Sequence, residues 1–221
     1  MCSATARTDR AKPNAPGRPK DMGKRAAILD AAKRLFVELG YDGVSMDQIA
    51  AAAGVSKLTV YSHFGDKDAL FAASARAYCE QRLPAELFAA NPDVPLRERM
   101  LEIAQAFYAM VSSPEAVAGH RILCTPQMAD SPVPTIFWEA GPKRVQGEFA
   151  DLLRRRMEAG ELEIDDVSRA ASQFFTLLKG DQHARLVMGC GEAPCREEAR
   201  KHVAASVDMF LRAYARRDAT P

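Results

Sequence analysis

No run of apolar residues in this chain approaches the roughly 20 that a membrane-spanning helix needs. The opening Met-Cys-Ser-Ala-Thr-Ala-Arg also lacks the apolar core of a secretory signal. Cysteine is scarce: five in 221 residues do not make a disulfide framework, and an odd number cannot pair completely within one chain. A reduced, cytoplasmic setting is the expectation. No credible strand-rich segment and no internal repeat occur, so all-α is the expected fold class. The sequence contains no G-x-S-x-G, H-E-x-x-H or Walker-type motif, and its four histidines are scattered. An all-α enzyme dependent on a thiol or imidazole would need a nucleophile beside a positioned base, and it stands here only as the rival class. No recognised zinc spacing occurs either, so neither a metal nor a cofactor is expected.

What the chain does have is a globular composition, with 48% hydrophobic and 27% charged residues, enough for a real core. Its net charge of +1 conceals an asymmetry. Up to Arg34, nine basic residues stand against Asp9, Asp21 and Asp30, giving this stretch about +6 and leaving about −5 for the rest. A basic end on a mildly acidic body suits an end that meets a polyanion, or else a solvated tail.

Residues 1–20 carry Pro13, Pro16, Gly17 and Pro19 and almost no large apolar side chain, the composition of a flexible arm. From Asp21 the pattern turns helical. Ile28, Ala32, Leu35 and Leu39 predict a first helix ending at Gly40. Ser45 with Gln48 forms a capping box for a second helix over Met46–Ala53. Ser56 caps a third over Lys57–Phe64, and Asp66 a fourth that fades before Pro84. Two short helices joined through Ala53-Gly54-Val55-Ser56 make a helix-turn-helix, with Ile49, Val55, Val60 and Phe64 as its private core.

Beyond Pro84 the expectation is further helices. One opens at Pro95 and carries Met100, Ile103, Phe107 and Val111, with a break at Ser112-Ser113-Pro114. Another opens at Pro134 and kinks or restarts at Gly141-Pro142. The next starts at Asp165 or Asp166, and the last opens at Pro194. Three parts follow: an arm over 1–20, a DNA reader over 21–67 and a helical body over 68–221.

Within Ile28–Phe71, Ile49, Ala50, Ala53, Gly54, Val55, Ser56, Tyr61, His63, Phe64, Lys67 and Leu70 stand in the pattern I-A-x-x-A-G-V-S-x-x-x-x-Y-x-H-F-x-x-K-x-x-L. The chain thereby resembles the TetR family of transcriptional regulators. Phe137–Arg144 and Leu178–Leu186 resemble its AefR-like branch. The resemblance implies a homodimeric regulator, most simply a repressor that a small apolar or aromatic effector releases from a pseudo-palindromic operator. An activator, including a redox-sensing one, is the variant reading.

A helix-turn-helix lays its second helix in the major groove, which makes Ser56, Lys57, Leu58, Thr59 and Ser62 the candidate base-facing residues. Lys57 can reach guanine acceptors, and Leu58 or the Thr59 methyl can meet a thymine methyl. Leu58 occupies a position that is often Gly or Ala in the family, which changes the approach to the bases. Tyr61, His63 and Lys67 match the family's phosphate-contacting positions. Ser45–Asp47 would offer helix amides to a further anion. Arg18, within Gly17-Arg18-Pro19-Lys20, resembles the minor-groove core of an AT-hook-like arm. Plainer alternatives stay open: Tyr61 packed on the first helix, His63 in the core or as a cap, Thr59 partly buried, Lys57 and Lys67 on a solvated face.

For the body, two apolar stripes are the candidate dimer interface: Phe174 and Leu178 on one helix, and Val203, Val207, Phe210 and Tyr214 on the last. The alternative is that they face their own core. The candidate effector pocket is Met100, Phe107, Met110, Cys124, Met128, Trp138, Phe149 and Phe175, with polarity from His120, Gln127 or His183. Cys124 lies at i+4 from His120, and Cys190 and Cys195 flank a short loop. Both are candidate redox switches, against the plainer reading as ordinary thiols.

Overall fold

The computed structural model describes residues 21–89, 91 and 93–216. Arg18 lies outside them. Within them the chain is all helix: α1 Met22–Leu39, α2 Met46–Ala52, α3 Lys57–Phe64, α4 Lys67–Arg82, α5 Leu96–Val111, α6 Pro114–Leu123, α7 Val133–Ala140, α8 Pro142–Glu158, α9 Val167–Met188 and α10 Arg196–Tyr214. Short 3₁₀ turns lie at Ala85–Phe88 and Pro126–Met128. Backbone pairing between distant segments is limited, among these residues, to an isolated bridge from Leu162 to Ala215.

Local chemistry explains the first four helices. The Asp21 carboxylate accepts from Gly23 N at 3.0 Å and starts α1. Ser45 Oγ accepts from Gln48 N at 3.2 Å while Ser45 N donates to Gln48 Oε1 at 2.7 Å, so the capping box forms as the spacing predicts. Ser56 Oγ accepts from Thr59 N, and Asp66 Oδ1 from Ala69 N. Gly54 takes φ +66° in the turn, a conformation that a Cβ would strain.

Two apolar clusters organise the molecule. The first holds Ile28, Ala32, Phe36, Ile49, Val60 and Leu70, with Val55, Phe64 and Phe71 packed against it. The second joins α5, α8, α9 and α10 through Met100, Ile103, Phe149, Phe174, Phe210 and their neighbours. Helix α4 belongs to both: Leu70 packs in the first, while Cys79, like Leu83 just past the helix end, packs in the second. A boundary after residue 67 therefore falls inside a continuous helix that ties reader to body.

Three expectations about the body change. Pro114 does not break the chain into loop. It sits in the first turn of α6, where its missing N–H costs nothing, and Ser113 Oγ accepts from Ala116 N at 3.2 Å. Helix α9 continues past Leu178 to Met188 with a kink at Gly180, whose φ +53°, ψ −162° is open only to glycine. There His202 Nε2 of α10 donates to the Leu178 carbonyl at 2.9 Å. The last helix starts at Arg196, two residues beyond Pro194, with Cys195 N bonded to Glu198 Oε2.

Candidate DNA interface and adjoining cavity

The reader presents α3 outward. Val60 is the one α3 residue fully buried, anchoring the helix, while Leu58 is 79% exposed. An exposed leucine at the start of a helix has no core to fill, which suits contact with an apolar group on a partner. Ser56, Lys57, Tyr61 and Ser62 are exposed beside it, and Thr59 and His63 are half-buried.

Several of these groups carry local bonds. Ser56 Oγ and Thr59 Oγ1 lie 2.8 Å apart, and Ser62 Oγ donates to the Thr59 carbonyl. Lys57 Nζ pairs with Asp47 Oδ2 at 2.9 Å, which raises the affinity of the ammonium for its proton. The Ser45 hydroxyl and amide are both engaged with Gln48, so what α2 offers an anion is reduced to its remaining amides. His63 keeps a buried Nδ1 without a partner among the described residues.

Lys67, at the start of α4, places Nζ 4.1 Å from the Tyr41 ring centroid. The Tyr41 hydroxyl bonds Asp68, and burial together with that carboxylate pushes the phenol's pKa upward. Phe36, Tyr41 and Phe71 pack as an aromatic trio, with Tyr41 and Phe71 centroids 5.5 Å apart.

That trio forms one wall of a cavity of about 180 Å³. Its other walls come from α4 to α9, with Tyr78, Phe107, His120, Phe137, Trp138 and Lys179 among the lining residues. An apolar cavity of ~150 Å³ admits a benzene ring, so this one holds at least one ring.

Of the pocket candidates, Phe107, Met110, Trp138 and Phe175 line the cavity. Met100 and Phe149 do not: both are fully buried in the second cluster, where Phe149 stacks on Phe174 at 4.5 Å between centroids. Met128 is buried away from the cavity, and Cys124 is exposed at the end of α6. Of the polar candidates, His120 lines it and His183 backs His120 at 5.0 Å between ring centroids, while Gln127 is exposed elsewhere. Sequence reasoning missed Phe36, Tyr41 and Phe71, because they read as the reader's own core. It also missed Lys179, although a lysine after Leu177 and Leu178 in an apolar helix was a usable signal.

The dimer candidates need a similar correction. Phe174, Leu178, Val203, Val207 and Phe210 are buried in the chain's own core, which leaves them no surface for a second copy. Tyr214 is half-buried and donates to Gln173 Oε1 at 2.8 Å. Periodicity identifies an apolar face but does not say which neighbour covers it. Cys190 and Cys195 are exposed free thiols, as is Cys124, whereas His120 turns to Phe137 and His183.

Comparison with known proteins agrees with this architecture. Residues 28–74 match the bacterial regulatory proteins of the tetR family, and residues 98–216 match the C-terminal domain of AefR-like transcriptional repressors. The HTH-type transcriptional repressor Rv1474c of Mycobacterium tuberculosis is 29% identical over 166 residues, covering 75% of this chain and 83% of its own. A putative TetR-family regulator from Mesorhizobium loti superposes with a TM-score of 0.72 at 25% identity, covering 90% of this chain and 100% of that one. The flavonoid-responsive regulator FrrA does so at 0.69 and 31% identity, with the same coverage. No described helix is long and apolar enough to cross a membrane. The chain belongs to the TetR family of DNA-binding transcriptional regulators, with an AefR-like C-terminal domain.

Proposed function

We propose that the chain is a homodimeric repressor, working in the cytoplasm, that leaves a pseudo-palindromic operator when a small apolar or aromatic molecule enters the cavity between reader and body. The observation that carries this reading is the shared wall. Phe36 and Tyr41 of the reader and Phe71 and Ser74 of α4 line the same space as Phe107, Phe137 and Phe175 of the body. A ligand there touches both parts at once.

In this reading residues 21–67 contact DNA, with Ser56, Lys57, Leu58, Thr59 and Ser62 towards the bases and Tyr61, His63 and Lys67 on phosphates. Tyr41 supplies the link. Its ring carries Lys67 Nζ, its hydroxyl holds Asp68, and its other surroundings include the cavity. A ligand that moves Tyr41 moves the start of α4 and with it a phosphate contact. The printed name of FrrA, a flavonoid-responsive relative, supports an aromatic effector. Dimerisation through the outer faces of α9 and α10 fits two half-sites. Met188 and Met209 stand 70% and 56% exposed there.

Fluorescence anisotropy on genomic fragments captured by the protein, combined with sedimentation of the complex, tests this. Two protomers per fragment are expected. Added effector is expected to weaken binding by about 5–150-fold, the usual range of such coupling. One protomer per fragment, or affinity that no cavity-binding compound alters, contradicts the reading.

A further inference from the structure

Most of the cavity surface is apolar, but one end is not. Lys179 of α9 lines it and has no carboxylate partner among the described residues. His120 of α6 lines the same cavity, and the His183 ring packs edge-to-face on it. Both imidazoles keep a buried Nδ1 with no hydrogen-bond partner. Three nitrogen bases thus converge where the surroundings withhold water and supply no anion.

The remaining charged groups on the wall do not compensate. Lys33 is engaged with Asp30 at 2.9 Å and Gln81 at 3.2 Å. Glu115 is exposed in the first turn of α6, where its own backbone amide and Ser113 hold it as a carboxylate. The electrostatics agree: burial lowers the affinity of Lys179 for its proton, and burial with the neighbouring His183 and Lys179 brings His120 down to about 4. Keeping a lysine half-buried without a counter-charge costs stability. An incoming anion would remove that cost, and the rest of the cavity would cover an apolar body.

We propose that the effector is an organic acid, a carboxylate on an aromatic or otherwise apolar body, whose carboxylate is held by Lys179 with His120, and His183 behind it, completing the polar end. The proposal rests on the cavity being the effector site and adds the chemical class of its ligand.

The probes are matched pairs: 4-phenylbutanoate with 4-phenylbutanamide, and 2-naphthoate with 2-naphthamide. Binding to the full chain is followed by calorimetry and by the fluorescence of Trp138, the chain's single tryptophan, which lies in the cavity wall. Each acid is expected to bind at least about tenfold more tightly than its amide, the size of one charge-assisted hydrogen bond. Lys179→Met is expected to abolish that preference while holding the amide as the wild type does, and Lys179→Arg to restore most of it. Amide binding by the Met variant also shows that the cavity remains folded. Equal binding of acid and amide to the wild type, or a preference that survives Lys179→Met, overturns the proposal and leaves the effector site standing. No binding by any of the four probes overturns both together.

Discussion

Replacing Tyr61 and Lys67 together by alanine is expected to lower operator affinity at least about a hundredfold and to flatten its dependence on salt. Tyr61 stands 41% exposed on the last turns of α3, and Lys67 opens α4 only six positions later. Both can therefore address the sugar-phosphate backbone beside the groove that α3 enters. A hydrogen bond to a charged group contributes about 1.5–3 kcal/mol, and in a dimer each loss occurs twice. Lys67→Ala alone removes two ammonium–phosphate contacts per dimer, so the slope of log K against log salt should fall in magnitude by roughly 2. Because phosphates carry no sequence information, the loss should be similar on specific and unrelated fragments. An unchanged slope would remove Lys67 from the backbone-contacting set.

Phe149→Ala is expected to destabilise the body by about 3–5 kcal/mol, the usual cost of deleting a fully buried aromatic ring. Phe149 stacks on Phe174 at 4.5 Å, meets Phe175 edge-on at 5.2 Å and lies 6.3 Å from Phe210. It therefore joins α8, α9 and α10 at their common centre. At roughly 2–4 °C per kcal/mol for a chain of this size, the melting temperature should fall by about 6–20 °C. Trp138→Ala on the cavity rim gives the contrast. Its ring is 46% exposed, so its removal should cost far less. Similar losses in the two variants would mean that the aromatic cluster is not the body's centre.

The reader was almost wholly legible in the sequence because its signals are local. Ser45, Ser56 and Asp66 each bond an amide within three residues, and such contacts are written in the spacing itself. The body was legible as helices and not as an assembly. Pro114 signals a break or a first turn equally well, and only the Ser113 cap decides between them. Phe174 and Val207 announce an apolar face, but whether that face meets α5 and α8 or a second chain depends on packing that no window of sequence contains. The cavity is the extreme case. Tyr41 and Lys179 are 138 positions apart and line one space only because α4 carries the reader onto the body.

Methylation interference on a captured operator tests the central claim most directly. Guanine N7 faces the major groove, and α3 is held to enter that groove in each of two copies. Methylation should block binding at two clusters of guanines about one helical turn apart, or a multiple of it, on one face of the duplex. Lys57→Ala should relieve the block at guanines that the lysine addresses. Binding indifferent to N7 methylation, or clusters on opposite faces of the DNA, would contradict the account.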